Sequence, residues 1–191
     1  DLIVDGDNVD VQDNNGNTAL IHACAMGIEN TIDKLIEVGA NLDTQNNMGQ
    51  TALMLACANG YGNIVNKLIA AGANINLQDL SGNTAILFAI NKFDEGIVDA
   101  LIKAGAHLNV KFVDDSTTIL FASNNDQANI VDKRIISPDN LNHQDPTYAY
   151  PPLYLAILNG YEDIAIKLIN AGANVDKQSR FGETALMAAC L

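Results

Sequence analysis

The sequence predicts an all-α solenoid of stacked helix-turn-helix units joined by β-hairpin turns, and three observations predict it. The triplet Thr18-Ala19-Leu20 returns as Thr51-Ala52-Leu53, Thr84-Ala85-Ile86 and Thr117-Thr118-Ile119, each time 33 residues on; self-similarity at a fixed step of this length marks a repeat array. Other columns keep the same step: Gly16, Gly49 and Gly82 stand two residues before the triplets, and Gly39-Ala40-Asn41, Gly72-Ala73-Asn74 and Gly105-Ala106-His107 close the units. The composition is 48% hydrophobic but only 5% aromatic, without Trp, which suits helices packed closely through Ala, Leu and Ile.

The elements of one unit follow in order. Asp13-Asn14-Asn15-Gly16 is turn chemistry, because Asn and Gly tolerate positive φ. Thr18 then sits where a hydroxyl can accept a backbone N–H at a helix start. Residues 19–26 form a short first helix rich in small side chains, broken by Gly27. A second helix spans about residues 30–38 and carries Ile32, Leu35 and Ile36 at helical spacing. Gly39 ends it as a C′ glycine, and residues 41–43 lead into the next turn. Such a unit cannot bury both faces of its helices alone. Stacking copies through the small Ala23, Ala56, Ala89 and Ala122 solves this, with Leu and Ile of the second helices filling the gap.

These residues resemble the ankyrin repeat family, whose unit is a β-turn and two helices over 33 residues. The segments Asp79-Leu80-Ser81-Gly82-Asn83-Thr84-Ala85-Ile86, Ile97-Val98 and Leu101-Ile102-Lys103-Ala104-Gly105-Ala106 carry the match. The resemblance implies a single ankyrin-repeat domain over residues 1–191. Full units fall at 13–45, 46–78, 79–111, 112–144 and 145–178, with partial ones at 1–12 and 179–191. The family's usual Thr-Pro-Leu-His is altered here. Ala takes the Pro place in four units, Thr118 in another, and Pro152 restores it; the His place holds Ile21, Met54, Leu87, Leu120, Tyr154 and Met187. The sequence therefore predicts that the His-to-turn hydrogen bonds of the family's motif are missing. Both ends fall inside a unit without a polar cap, the expectation for a piece of a longer array or of a larger protein.

Two units depart from the pattern. In 112–144, Asp115 takes the Gly place, Arg134 a core Leu place, and Ser137-Pro138-Asp139-Asn140 replaces Ala-Gly-Ala-Asn. Proline cannot adopt the left-handed cap geometry, so the second helix should end early there or change direction. The unit at 145–178 has one additional turn residue and presents Tyr148 and Tyr150.

Formal charge is −13, from 23 acidic and 10 basic residues. This balance opposes phosphate contacts and anionic lipid, which argues against nucleic-acid and membrane-surface binding; it keeps a surface-rich protein soluble, or alternatively steers in a basic protein partner. No stretch approaches the roughly 20 apolar residues of a membrane span, and no signal peptide opens the chain. Cys24, Cys57 and Cys190 share one column of the first helix. Neighbouring positions there stand about 10 Å apart, beyond the ~7 Å a disulfide permits, so three buried reduced thiols are expected, consistent with a cytoplasmic setting. His22, His107 and His143 occupy different columns and converge with no nucleophile or carboxylate; each is expected to be a surface histidine without a role. No catalytic, cofactor or metal site is expected.

The resemblance implies a non-catalytic, monomeric scaffold that takes a protein or peptide on its concave face, formed by hairpin tips and first helices. Carried over by repeat position, the expected partner-binding residues are Met48, Gln50, Leu80, Asn83, Lys92, Val113, Tyr148, Tyr150, Arg180 and Phe181. The patch is expected to centre on Met48, Leu80, Tyr148 and Tyr150, because a contiguous line of exposed apolar side chains suggests an interface. The alternative is a targeting or recruiting arm of a larger enzyme whose catalytic domain lies outside this chain.

Overall fold

The structure, a computed structural model, describes residues 8–107, 119, 122, 123, 128, 131, 132, 141–145 and 147–190. Val113 and the irregular features at 115, 134 and 137–140 lie outside the described residues. The chain divides into two compact units, residues 1–107 and 108–191.

The first unit contains three helix pairs: α1 (Ala19–Met26) with α2 (Glu29–Glu37), α3 (Ala52–Asn59) with α4 (Gly62–Ala70), and α5 (Ala85–Asn91) with α6 (Glu95–Lys103). First helices pack on first helices, α1 on α3 and α3 on α5, while α2, α4 and α6 form a second layer behind them. The second unit holds α7 (Pro152–Leu158), α8 (Glu162–Asn170) and the short α9 (Ala185–Ala188), with α9 against α7. No β-strand occurs among the described residues.

The starts of the first helices follow from the Thr column. Thr18, Thr51 and Thr184 accept from the backbone N–H of Ile21, Met54 and Met187 through their hydroxyls. The hydroxyl of Thr84 is buried without a hydrogen-bond partner, so this cap departs from the expectation. In α7, Pro151 takes the cap position and Pro152 the first helical position, where its missing N–H costs nothing. The expected second-helix side chains Ile32, Leu35, Leu68, Leu101 and Leu168 are buried but Ile36 is only half-buried, and Leu20, Leu53, Ile86 and Leu153 of the first helices join the core around the buried Ala column.

Within each unit, a glutamine column stitches consecutive repeats together. Gln12 Nε2 donates to Gly16 O at 2.6 Å, closing its own turn, and to Gln45 O of the next turn at 3.0 Å. Gln45 repeats this with Gly49 O and Gln78 O, and Gln144 with Ala149 O and Gln178 O. A second column does the same work farther along the turn. Asp10, Asp43 and Asn76 accept from the backbone N–H of Asn41, Asn74 and His107 at 2.8–2.9 Å. Each turn thereby supplies partners for backbone groups of its neighbour that exposure to solvent would otherwise have to satisfy.

The loop after each first helix needs a left-handed residue. Gly27, Gly60 and Gly160 supply it, at φ between 75° and 77°, but the equivalent position after α5 is Phe93, at φ 59° and largely exposed. A side chain in this region costs about 1–2 kcal/mol, and a glycine returns about 0.4–1 kcal/mol of that through the entropy of the unfolded chain. Phe93→Gly relieves this cost but gives up the ring's partial burial, so the two offset and stability is expected to change by no more than about 0.5 kcal/mol. A urea midpoint and slope close to those of the parent chain are the check.

Candidate partner-binding face

Each hairpin tip is organised by its first residue. The Asp13 carboxylate accepts from the backbone N–H of Asn15 and Asn17, both at 2.8 Å. Asn46, Asp79 and Asp145 do the same for their own turns. Consecutive tips are then joined through the backbone: Asn47 N donates to Asn15 O at 2.9 Å, Leu80 N to Met48 O at 3.0 Å, and, in the second unit, Arg180 N to Tyr148 O at 2.8 Å. This close approach requires glycine beneath it. At Gly49, φ is +76° and a Cβ would lie 2.7 Å from Leu80 N.

The tips hold their outward side chains in place without covering them. In the first unit Met48 is 59% and Leu80 80% exposed, side by side on adjacent tips. Gln50 and Asn83 are half-buried and serve their own turns: Gln50 N donates to Asn46 Oδ1, and Asn83 donates to Asp79 from both backbone and side chain. Lys92 is exposed at the far end of α5 from the tip, with its side chain lying along the position where Gly60 has no Cβ.

In the second unit the tips carry a ladder of rings. Tyr154, buried on α7, stacks parallel on Tyr150 at 4.5 Å between centroids. Tyr150 meets Tyr148 at 5.5 Å, and Tyr148 meets Phe181 of the following tip at 6.1 Å. Exposure rises outward along the ladder, to 49% at Tyr148 and 64% at Phe181. Tyr154 Oη donates to Glu183 Oε2 at 3.0 Å, which Ser179 Oγ also reaches at 3.3 Å. Burial, then the Glu183 carboxylate, push the Tyr154 phenol up to about 12. Arg180 is exposed on the same tip as Phe181. The additional turn residue is absorbed at Ala149, which takes φ 57° where the other tips use glycine.

Three expectations are corrected here. His22, expected to have no role, lies with Nε2 2.8 Å from Asp13 Oδ2. The Asp13 carboxyl is lowered, first by the backbone N–H of Asn17 and then by His22. The histidine-to-turn link is therefore present in the first repeat, made from the residue after the family's His place. Tyr154 makes a corresponding link from the His place itself, to Glu183 of the next tip. Thirdly, Cys24 and Cys57 are buried but Cys190 is exposed, since no further helix covers its column among the described residues.

Burial pushes the Cys24 thiol up to about 12; the Cys57 thiol is raised further, by burial and then by Asp94. A thiolate is the reactive form. Folded chain is thus expected to release one equivalent of thionitrobenzoate from Ellman's reagent rapidly, at Cys190, and the other two only in denaturant. Rapid release of all three without denaturant would contradict this packing.

Among the described residues no group of three His, Cys, Asp or Glu stands close enough to hold a metal ion, and no helix is long and apolar enough to cross a membrane. A cleft of about 320 Å³ in the first unit lies between the loops at Gly27 and Gly60 and is lined by Glu29, Tyr61 and Asn63. The Glu29 carboxylate is engaged by Lys67 at 3.2 Å.

No curated protein matches the sequence. Solved structures do. One is a chain from the Bd0816 predatory endopeptidase of Bdellovibrio bacteriovorus in complex with the immunity protein Bd3460, at 26% identity, TM-score 0.74 and coverage of 92% of both chains. The human ASB11 ankyrin repeat domain is 25% identical, with TM-score 0.70, over 91% of this chain and 77% of that one. The ankyrin repeat domain of Bcl-3 has TM-score 0.75 at 23% identity, over 96% and 82%, and supports the fold. A family model described as ankyrin repeats (3 copies) matches residues 1–79 and 119–191. On the matched residues, the 33-residue period and the stacked helix pairs, the chain belongs to the ankyrin repeat family.

Proposed function

We propose that this chain is a non-catalytic scaffold that binds a protein or peptide through the hairpin tips and the exposed ends of its first helices. The carrying observation is that large apolar side chains stand exposed on tips whose backbones are rigidly joined: Met48 and Leu80 in one unit, Tyr148 and Phe181 in the other. Isolated exposed apolar residues carry no message, but adjacent ones on a fixed backbone mark an interface. Rigid tips also lose little entropy on binding, which favours affinity. A relative of 26% identity comes from a complex of an endopeptidase with an immunity protein, which supports a protein partner. The excess of acidic residues favours a partner of basic character.

Affinity capture with the wild-type chain, followed by titration of the retained protein, tests this reading. Leu80→Ser and Tyr148→Ala are each expected to weaken binding about tenfold, the effect of losing a moderate interface anchor. Val175→Ser, which removes an exposed apolar side chain beyond the α8 end, should leave it unchanged. Equal binding by all three variants would rule out the tip face.

A further inference from the structure

We infer that the first unit takes an uncharged segment of its partner, apolar side chains interleaved with amide or hydroxyl groups, across the outward face of α1, α3 and α5. This inference rests on the tip-face reading and specifies the chemistry of the contact on the helices beside the tips.

The distribution of charge between the two helix layers carries it. The helices α1, α3 and α5 contain no Asp, Glu, Lys or Arg. Burial explains only part of this, because solvent reaches their outward side. Met26 is 67% exposed, Asn59 and Asn91 are exposed, and Leu55, Ala58 and Phe88 are half-buried. Charged residues ordinarily take such positions, and the second layer follows the rule: α2 carries Glu29, Asp33, Lys34 and Glu37, and α6 carries Glu95, Asp99 and Lys103. Both layers belong to the same repeats, so a general need for solubility does not account for an uncharged first layer. Loss of charge with Met and aromatic side chains retained is the composition of the centre of an interface.

The acids nearest this face are engaged. Asp13 and Asp79 head their tips, and each accepts from two backbone N–H groups of its own turn. The other oxygen of Asp13 lies 2.8 Å from His22 Nε2, and that of Asp79 accepts from the Asn83 amide at 3.1 Å. A Lys or Arg pressed onto the face would therefore leave water without a counter-charge, which is unfavourable. Lys92, exposed at the C-cap of α5, opposes a basic segment further. The acids of the second layer act on the approach of a partner instead of at the contact, so salt slows association and leaves dissociation unchanged.

The test pans the whole chain against a phage-displayed library of random peptides and titrates the enriched sequences, as synthetic peptides, onto parent and variants. The expected result is peptides in which Lys, Arg, Asp and Glu are rarer than in the starting library. Their affinities should change less than about twofold up to molar salt, where the screening length is about 3 Å. Asn59→Glu and Asn91→Glu place an acid on the face and should each weaken binding about tenfold, through the unpaired charge left beneath the bound segment. Asn66→Glu places the same charge on the exposed side of α4, in the second layer, and should leave binding unchanged. The helical CD signal reports that each variant is folded. Enrichment of Lys- and Arg-rich peptides whose binding is lost in molar salt, or is strengthened by Asn91→Glu, overturns the inference. So does a failure to enrich any peptide sensitive to Asn59→Glu or Asn91→Glu. Leu80→Ser separates this failure from that of the tip-face reading: basic peptides that Leu80→Ser no longer binds would overturn the uncharged contact and leave the tips as the binding face.

Discussion

Gly49→Ala is expected to destabilise the chain by about 3 kcal/mol, from roughly 1–2 kcal/mol of left-handed backbone cost and a similar amount for overpacking. The added Cβ would lie 2.7 Å from Leu80 N and 3.0 Å from Asp79 Cα, both backbone atoms that no rotamer change can move. The neighbouring tip must retreat, which loosens the hydrogen bond from Leu80 N to Met48 O and the Gln45 stitch to Gln78. Gly182→Ala is the internal control. Its φ is +78°, almost the same, yet nothing among the described residues lies within 4 Å of its Cβ position. Its expected cost is the backbone part alone, about 1 kcal/mol. Urea unfolding of the two variants separates the contributions; equal losses would show that tip stacking adds nothing to stability.

Ala56→Leu is expected to be as damaging, at about 3 kcal/mol, the upper range for overpacking a core. Ala56 is fully buried on α3, which lies between α1 and α5, and Ala23 and Ala89 occupy the same column on those neighbours. Helices approach to about 8 Å only across small side chains. A leucine here pushes against two helices at once, and neither can yield without breaking the register of its tip. Ala70→Leu, on the exposed side of α4, should change stability by no more than about 0.5 kcal/mol. A loss of helical CD signal at lower temperature for Ala56→Leu alone is the expected outcome. Equal melting of both variants would mean that the Ala column does not set the stacking distance.

Much of the fold was legible because the period makes every residue informative about its copies. The first helix expected at 19–26 is α1, Ala19–Met26, and the second, expected at 30–38, is α2, Glu29–Glu37. The turn residues, the Thr caps and the Leu and Ile core follow from local chemistry that each repeat restates. What escaped the reading depends on neighbours. The Gln12, Gln45 and Gln78 column was visible at the 33-residue step but has no meaning within one unit, since half of its bonding is to the next. The exposure of Cys190 was missed because a column argument assumes a helix on both sides. The His22 and Tyr154 links were missed because the family's pattern assigns that bond to a histidine at one fixed place, whereas geometry asks only for a polar group of sufficient reach.

The candidate face was partly legible. Repeat position identified the tip residues and the inserted turn with its tyrosines, but not which of them stand outward. Met48, Leu80, Tyr148 and Phe181 are exposed. Gln50 and Asn83 are half-buried, and the Asn83 side chain turns back to donate to Asp79 of its own hairpin. The ring ladder depended on Phe181 of one tip reaching Tyr148 of another, which only three-dimensional proximity reveals.

Site-specific photocrosslinking tests the central claim most directly. A benzophenone amino acid is placed in turn at positions 48, 80, 148 and 181 on the tips, and at 166 and 169, which are exposed apolar positions on the second-layer helix α8. Each chain is irradiated with its captured partner. The account predicts adducts from tip positions and none from 166 or 169. Adducts confined to 166 or 169 would show that the partner binds the second layer, and would contradict the assignment of the tips as the working face.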